Sequence, residues 1–129
     1  MTQEQKELLL KDLCSRLSYR VKVRYSSYNK FIACTLHAIN PAYNNVDLWS
    51  KNACFNPVSI SKIKPYLFPM SSMTEEQSKI YHELVGGMFG TGVLINLDCL
   101  IDFFNRNHLD WRGLIPLGLA IDATGKNIY

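Results

Sequence analysis

Side chains able to attack, ligate or shuttle protons are present in this chain, but few keep a useful spacing. His37, His82 and His108 are scattered. His82 stands beside Glu83, yet adjacent residues of a helix point to different faces. No His-Glu-x-x-His pattern, nucleophile elbow or close acid pair occurs. Asp98 and Asp102 share a helix face with Arg106, the pattern of a solvated, ion-paired surface. Cys14, Cys34, Cys54 and Cys99 include no Cys-x-x-Cys pair, and two such pairs usually close a tetrahedral zinc site. Their apolar neighbours (Leu13, Ala33, Phe55, Leu100) predict small buried hydrophobes. The run Gly86 to Gly92 lacks the Gly-Lys-Ser/Thr ending of a phosphate loop, and Asp98 in the next helix would repel an anion. A connection or lid is expected there. No enzyme, cofactor or metal site is expected.

Binding chemistry is better represented. Arg20-Val21-Lys22-Val23-Arg24-Tyr25 alternates basic with apolar residues, so a strand would align Arg20, Lys22 and Arg24 on one face. That row suits phosphates, or is a solvated sheet face. Trp111-Arg112 offers an indole and a guanidinium on a turn-rich segment, suited to stacking a base and pairing with a phosphate. The alternative is a core tryptophan with a structural Arg-Asp pair. Tyr66, Ser71 and Ser72, with Met70, Met73 and Met88, are candidates for a pocket wall.

These residues need elements to hold them. Thr2 with Gln5 makes a capping box, and Leu9, Leu10, Leu13, Cys14 and Leu17 then predict an amphipathic helix, with Lys6, Glu7, Lys11 and Asp12 toward solvent. Strands are expected over Arg20–Tyr25, Phe31–Ile39 (central, apolar on both faces) and Val46–Trp49. Lys51 to Pro57 reads as a loop, and Val58–Ile60 as a further short strand. In Lys64-Pro65-Tyr66-Leu67-Phe68-Pro69-Met70-Ser71-Ser72-Met73-Thr74, two prolines four apart exclude a regular helix or central strand. A rigid, partly buried boundary between a strand-like and a helix-like half follows. Thr74 and Gln77 form a second capping box, opening a helix to about Leu84 that the glycine run breaks. Val93-Leu94-Ile95 is short and buried. Asn96 caps a third helix, with Leu97, Leu100, Ile101 and Phe104 as its stripe, ending near Asn107. One helical turn and a short strand over Leu117–Ile121 close the chain. The fold class expected is α+β: an N-terminal helix (1–19), an antiparallel sheet of three to five strands (20–63), and a proline segment with two helices and a short strand (64–129), in one domain.

The 129 residues are 47% apolar and 19% charged, ordinary for a globular domain. A net charge of +3 allows an anionic ligand but lacks the basic run of a dedicated nucleic-acid binder. No stretch approaches a membrane span, and the polar start Met1-Thr2-Gln3-Glu4-Gln5 is no secretory signal, so a cytoplasmic protein is expected.

Three stretches carry a resemblance: Lys6-Glu7-Leu8-Leu9-Leu10-Lys11-Asp12-Leu13-Cys14, the proline segment through Glu76, and Asp110-Trp111-Arg112-Gly113-Leu114-Ile115-Pro116 with Gly118-Leu119-Ala120. Together they resemble a family of small proteins encoded by phages and prophages of anaerobic gut bacteria. Its motifs carry no assigned chemistry, so no residue role transfers. The resemblance implies a phage-encoded accessory protein acting in the host cytoplasm by binding. One such role is an anti-defence protein that sequesters a nucleotide immune signal as a homo-oligomer. A protein- or nucleic-acid-binding module using Arg20, Lys22 and Arg24, or a structural phage component, are the alternatives.

Overall fold

The Thr2 hydroxyl accepts the Gln5 amide at 3.1 Å, and the Gln5 side chain accepts the Thr2 amide at 3.0 Å. Two donors without intrahelical partners are thereby satisfied, and α1 (Gln3–Arg16) follows. In this computed structural model, which describes residues 1–91 and 96–129 and the side chains outside 87–96, α1 packs Leu9, Leu10 and Leu13 into the main core. Its buried stripe is rotated from the expected one. Cys14 is exposed, whereas Asp12, expected in solvent, is fully buried together with Arg16. Residues 9, 12, 13 and 16 share one face at three- and four-residue spacing, so the stripe passes through both charges.

The six-stranded sheet has the order β4-β3-β2-β1-β5-β6, built from β1 (Lys22–Ser27), β2 (Lys30–Asn40), β3 (Asn45–Trp49), β4 (Cys54–Ser59), β5 (Ile63–Leu67) and β6 (Ile121–Asp122). All neighbouring pairs are antiparallel except β5 with β6. Val21, Val23, Cys34, Leu36, Val46, Leu48, Val58 and Ile63 meet α1 together with Leu67, Leu114, Leu119 and Ala120. The fold is α+β, as expected.

Several strand expectations need correction. Arg20 lies outside β1: its left-handed φ of 55° ends a short 3-10 turn over Leu17–Tyr19. Strand β2 is central, but its Phe31 and Ala33 face is exposed rather than buried. Strand β4 begins at Cys54, inside the expected loop. Pro57 argues against a central strand, but β4 is an edge, and the register shift between Val46 and Leu48 gives the proline room beside the ladder. The proline segment also supplies a strand. Pro65 is buried in β5, where β1 pairs as far as Pro65 and β6 only from Tyr66. The residue without an N–H sits where the strand changes partners.

Beyond that handover the chain is gripped from both edges. Leu67 carbonyl accepts the Ala123 amide at 2.8 Å, while Phe68 exchanges bonds with His108 carbonyl and Asp110 amide, each at 2.8 Å. Thr74 and Gln77 form the expected capping box at 3.0 and 3.1 Å. Helix α2 (Glu75–Thr91) then continues past Leu84, where the glycine run was expected to break it, and takes in Gly86, Gly87 and Gly90. A helical glycine costs only about 1 kcal/mol against alanine, which packing readily offsets. The expected Val93-Leu94-Ile95 segment lies outside the described residues, as does the side chain of Met88. Helix α3 (Asn96–Arg106) buries Leu100, Phe103 and Phe104 and leaves Leu97 exposed, so its stripe too is rotated. With Phe68, Met70, Met73, Tyr81, Leu84 and Trp111 these residues form a second apolar cluster. The expected strand Leu117–Ile121 is shorter and later: Leu117 is exposed and β6 holds only Ile121 and Asp122. Among the described residues no helix is long and apolar enough to cross a membrane.

The cysteines are also corrected: Cys34 alone is buried, while Cys14, Cys54 and Cys99 are exposed. Burial holds the Cys34 thiol above its usual range. Titration of the native protein with a thiol-specific chromogenic disulfide is therefore expected to find three fast thiols, with the fourth released by denaturant. Four equally fast thiols would contradict the packing of β2.

Candidate ligand groove

Trp111 and Arg112 are held by the interior. The Trp111 indole N–H donates to Asn105 Oδ1 at 3.0 Å, and Asn105 Nδ2 donates to the Ser15 carbonyl at 3.2 Å. The Arg112 guanidinium carbon stands 4.1 Å over the Trp111 ring, and its Nε is 3.5 Å from Asp12 Oδ1. Asp12 Oδ2 accepts Arg16 Nε at 2.8 Å, and Arg16 Nη2 donates to the Leu109 carbonyl at 2.7 Å. Asp110 accepts the Leu114 and Ile115 amides at 2.7 and 2.8 Å, which folds the Asp-Trp-Arg-Gly motif into its turn. Gly113, at φ 75°, supplies the left-handed step.

Burial sets the ionisation here. It pushes the Asp12 carboxyl up, against the opposing pull of Arg16 and Arg112. It also lowers the Arg112 guanidinium, which Asp12 partly restores. Burial, then the charge of Arg16, holds His108 down at about 4. The His108 ring stacks on Tyr129 at 3.7 Å. The Tyr129 hydroxyl donates to the Tyr66 carbonyl at 2.8 Å and accepts the Lys22 amide at 3.0 Å. Although 43% of the residue is exposed, this enclosed hydroxyl is pushed up by burial.

Tyr66 is thus a buried framework residue, Ser72 donates to the Pro69 carbonyl at 2.6 Å, and Ser71 is exposed. The proline segment and Trp111 do meet, through Phe68, Met70 and Met73 in the second cluster. The basic row is elsewhere. Arg20 and Lys22 line a groove of about 860 Å³ on the outer sheet face, with Thr35, His37, Trp49 and Lys51. Arg24 lies farther along that face, its guanidinium 4.2 Å over the Phe31 ring.

The groove follows from strand register. Lys22 opposes Thr35, which opposes Trp49, and all three point away from the core. A register shift between Leu36 and Ala38 leaves His37 as the extra residue of a bulge. Its imidazole stacks on the Trp49 indole at 3.7 Å and 15°, leaving the other indole face open. Trp49 is 50% exposed, unusual for so large an apolar ring. Three cationic side chains around a half-exposed indole can hold an anion beside a planar group. Among the described residues no group of three His, Cys, Asp or Glu side chains is placed to hold a metal ion.

Sequence reasoning missed His37, Trp49 and Lys51. Trp49 occupies the outward position of an alternating strand, which signals exposure. The contact with His37 depends on a bulge that alternation does not reveal. No family model matches the chain, and no curated protein or solved structure is significantly similar to it.

Replacing Asp12 by Ala leaves Arg16 buried without its carboxylate. Urea unfolding is expected to show a loss of about 3–5 kcal/mol. A loss below about 1 kcal/mol would mean that Arg16 reaches solvent when Asp12 is removed.

His108 makes stability pH-dependent. Its folded pKa, about 4, lies below its ordinary value of 6.5. Its contribution is complete above 6.5 and is lost as pH falls toward 4, because the unfolded chain takes up the proton first. Asp12, raised by burial, acts with the opposite sign. The difference between wild type and His108→Phe isolates the histidine: the variant is expected to lose less stability between pH 7 and 4. Parallel stability curves would contradict this.

Proposed function

We propose that this protein is a non-enzymatic accessory protein that binds a phosphorylated nucleotide on the outer face of its sheet. The carrying observation is the meeting of Arg20, Lys22 and Lys51 with a half-exposed Trp49 in one groove. A phosphate pairs with the cations while a base stacks on the free indole face. The resemblance described above supplies the setting: a phage-encoded protein in the host cytoplasm that sequesters a nucleotide immune signal, with several copies assembled.

Binding is followed by thermal shift and by Trp fluorescence against ADP, ADP-ribose, and cyclic di- and trinucleotides. An upward shift and quenching are expected with at least one of them. Charge reversal by Lys22→Glu or Lys51→Glu is expected to weaken binding about tenfold or more, the equivalent of one charge-assisted bond at roughly 1.5–3 kcal/mol. No response to any nucleotide, together with a monomer in light scattering, would remove this reading.

A further inference from the structure

The net charge of +3 conceals a strong segregation. Between Ser18 and Thr74 the chain has seven basic residues and one acidic residue, Asp47, whereas the remainder has seven basic against ten acidic. The sheet is therefore the electropositive half. Four of those basic residues, Arg20, Lys22, Arg24 and Lys51, lie on the outer face or along its groove. Lys64 joins them, since it opposes Arg24 across the β1–β5 pair. None of these five is ion-paired; the three salt bridges among the described residues all lie on α1, α3 and the Trp111–Arg112 turn.

Aromatic rings stand at two ends of this face. Trp49 is 50% exposed and Phe31 68% exposed, and each has one ring face covered by a planar side chain, His37 and Arg24 respectively. Between them the outward residues of β2 are the small Ala33 and Thr35, which make a low floor. Phe31 precedes Thr35, the partner of Trp49, by four residues, so the two backbone positions lie about 14 Å apart at about 3.3 Å rise per residue and about 4.8 Å between strands. One base cannot cover both rings. Arg24 Nε is enclosed without an acceptor, and its guanidinium is held over Phe31.

We infer that the ligand of this face is a single-stranded oligonucleotide, with one base on Trp49, another on Phe31 and the intervening phosphates along Lys22, Arg24 and Lys64. The inference rests on the nucleotide reading above and extends it from a single nucleotide to a strand. Stacking platforms combined with a cationic track bind unpaired strands with little regard to sequence. A duplex keeps its bases in the stack and cannot present them to either ring.

The test is fluorescence polarisation competition with thymidine monophosphate and with oligothymidylates of two, four and eight nucleotides, at several salt concentrations. Affinity is expected to rise at least tenfold from monophosphate to tetramer. It should fall with salt at a log–log slope of about −2, corresponding to about three phosphates at roughly 0.7 each. Phe31→Ala should weaken the tetramer about tenfold without changing the monophosphate, whereas Trp49→Ala weakens both. Both substitutions remove exposed side chains, and unchanged circular dichroism confirms that the variants fold. Equal affinity for monophosphate and tetramer, or a duplex bound as tightly as the single strand, overturns the oligonucleotide inference and leaves the nucleotide groove standing. Failure of every nucleotide and oligonucleotide to bind overturns both.

Discussion

Asp12 and Arg16 carry opposite charges in a part of α1 that has no access to water, and both ends of the chain are arranged around that fact. Desolvating two ions costs several kcal/mol each, so the pair is not a source of stability relative to well-packed apolar residues. It does impose geometry. Arg16 must also reach the Leu109 carbonyl, and the remaining oxygen of Asp12 faces Arg112. A helix from the N-terminus is thereby locked to a turn some hundred residues later. Sliding α1 by one residue would strand a buried guanidinium.

The proline segment transmits that constraint to the sheet. Leu109 is bridged to Phe68, immediately after β5, and Ala123 bonds to Leu67 on the opposite edge. The interior thus has two apolar bodies, one between α1 and the sheet and one among α2, α3 and Trp111. The segment from Tyr66 to Met73 passes from the first to the second. The outer sheet face belongs to neither body, which leaves its cations and rings available for binding.

Capping boxes were legible in the sequence because they are local: Thr2–Gln5 and Thr74–Gln77 each formed with the expected bonds. Strands β1 and β2 were legible for the same reason. Features set by tertiary partners were not. Asp12 looks like a solvent residue unless Arg16 and the Leu109 carbonyl are known to face it. The four cysteines were read from their flanking residues, which determine neither the rotation of a helix (Cys14, Cys99) nor the exposure of an edge strand (Cys54). Pro57 and Pro65 argued against strands, and only an edge position and a change of pairing partner made them acceptable. For the binding face, Lys22 and Arg24 were found by alternation. The placement of His37 against Trp49 needed the register shift in β2.

Tyr129 has a consequence for how the chain acquires its structure. Its hydroxyl bonds to Lys22 across a separation of 107 residues, and to Tyr66 across 63. The β1–β2–β3–β4 meander is made of neighbours in sequence and can assemble while the chain is being synthesised. The Lys22 amide at the start of β1 and the far side of β5 wait for the last segments to arrive. A nascent chain therefore presents most of its basic, aromatic sheet face before Leu114, Leu119 and Ala120 have joined α1 on the opposite side.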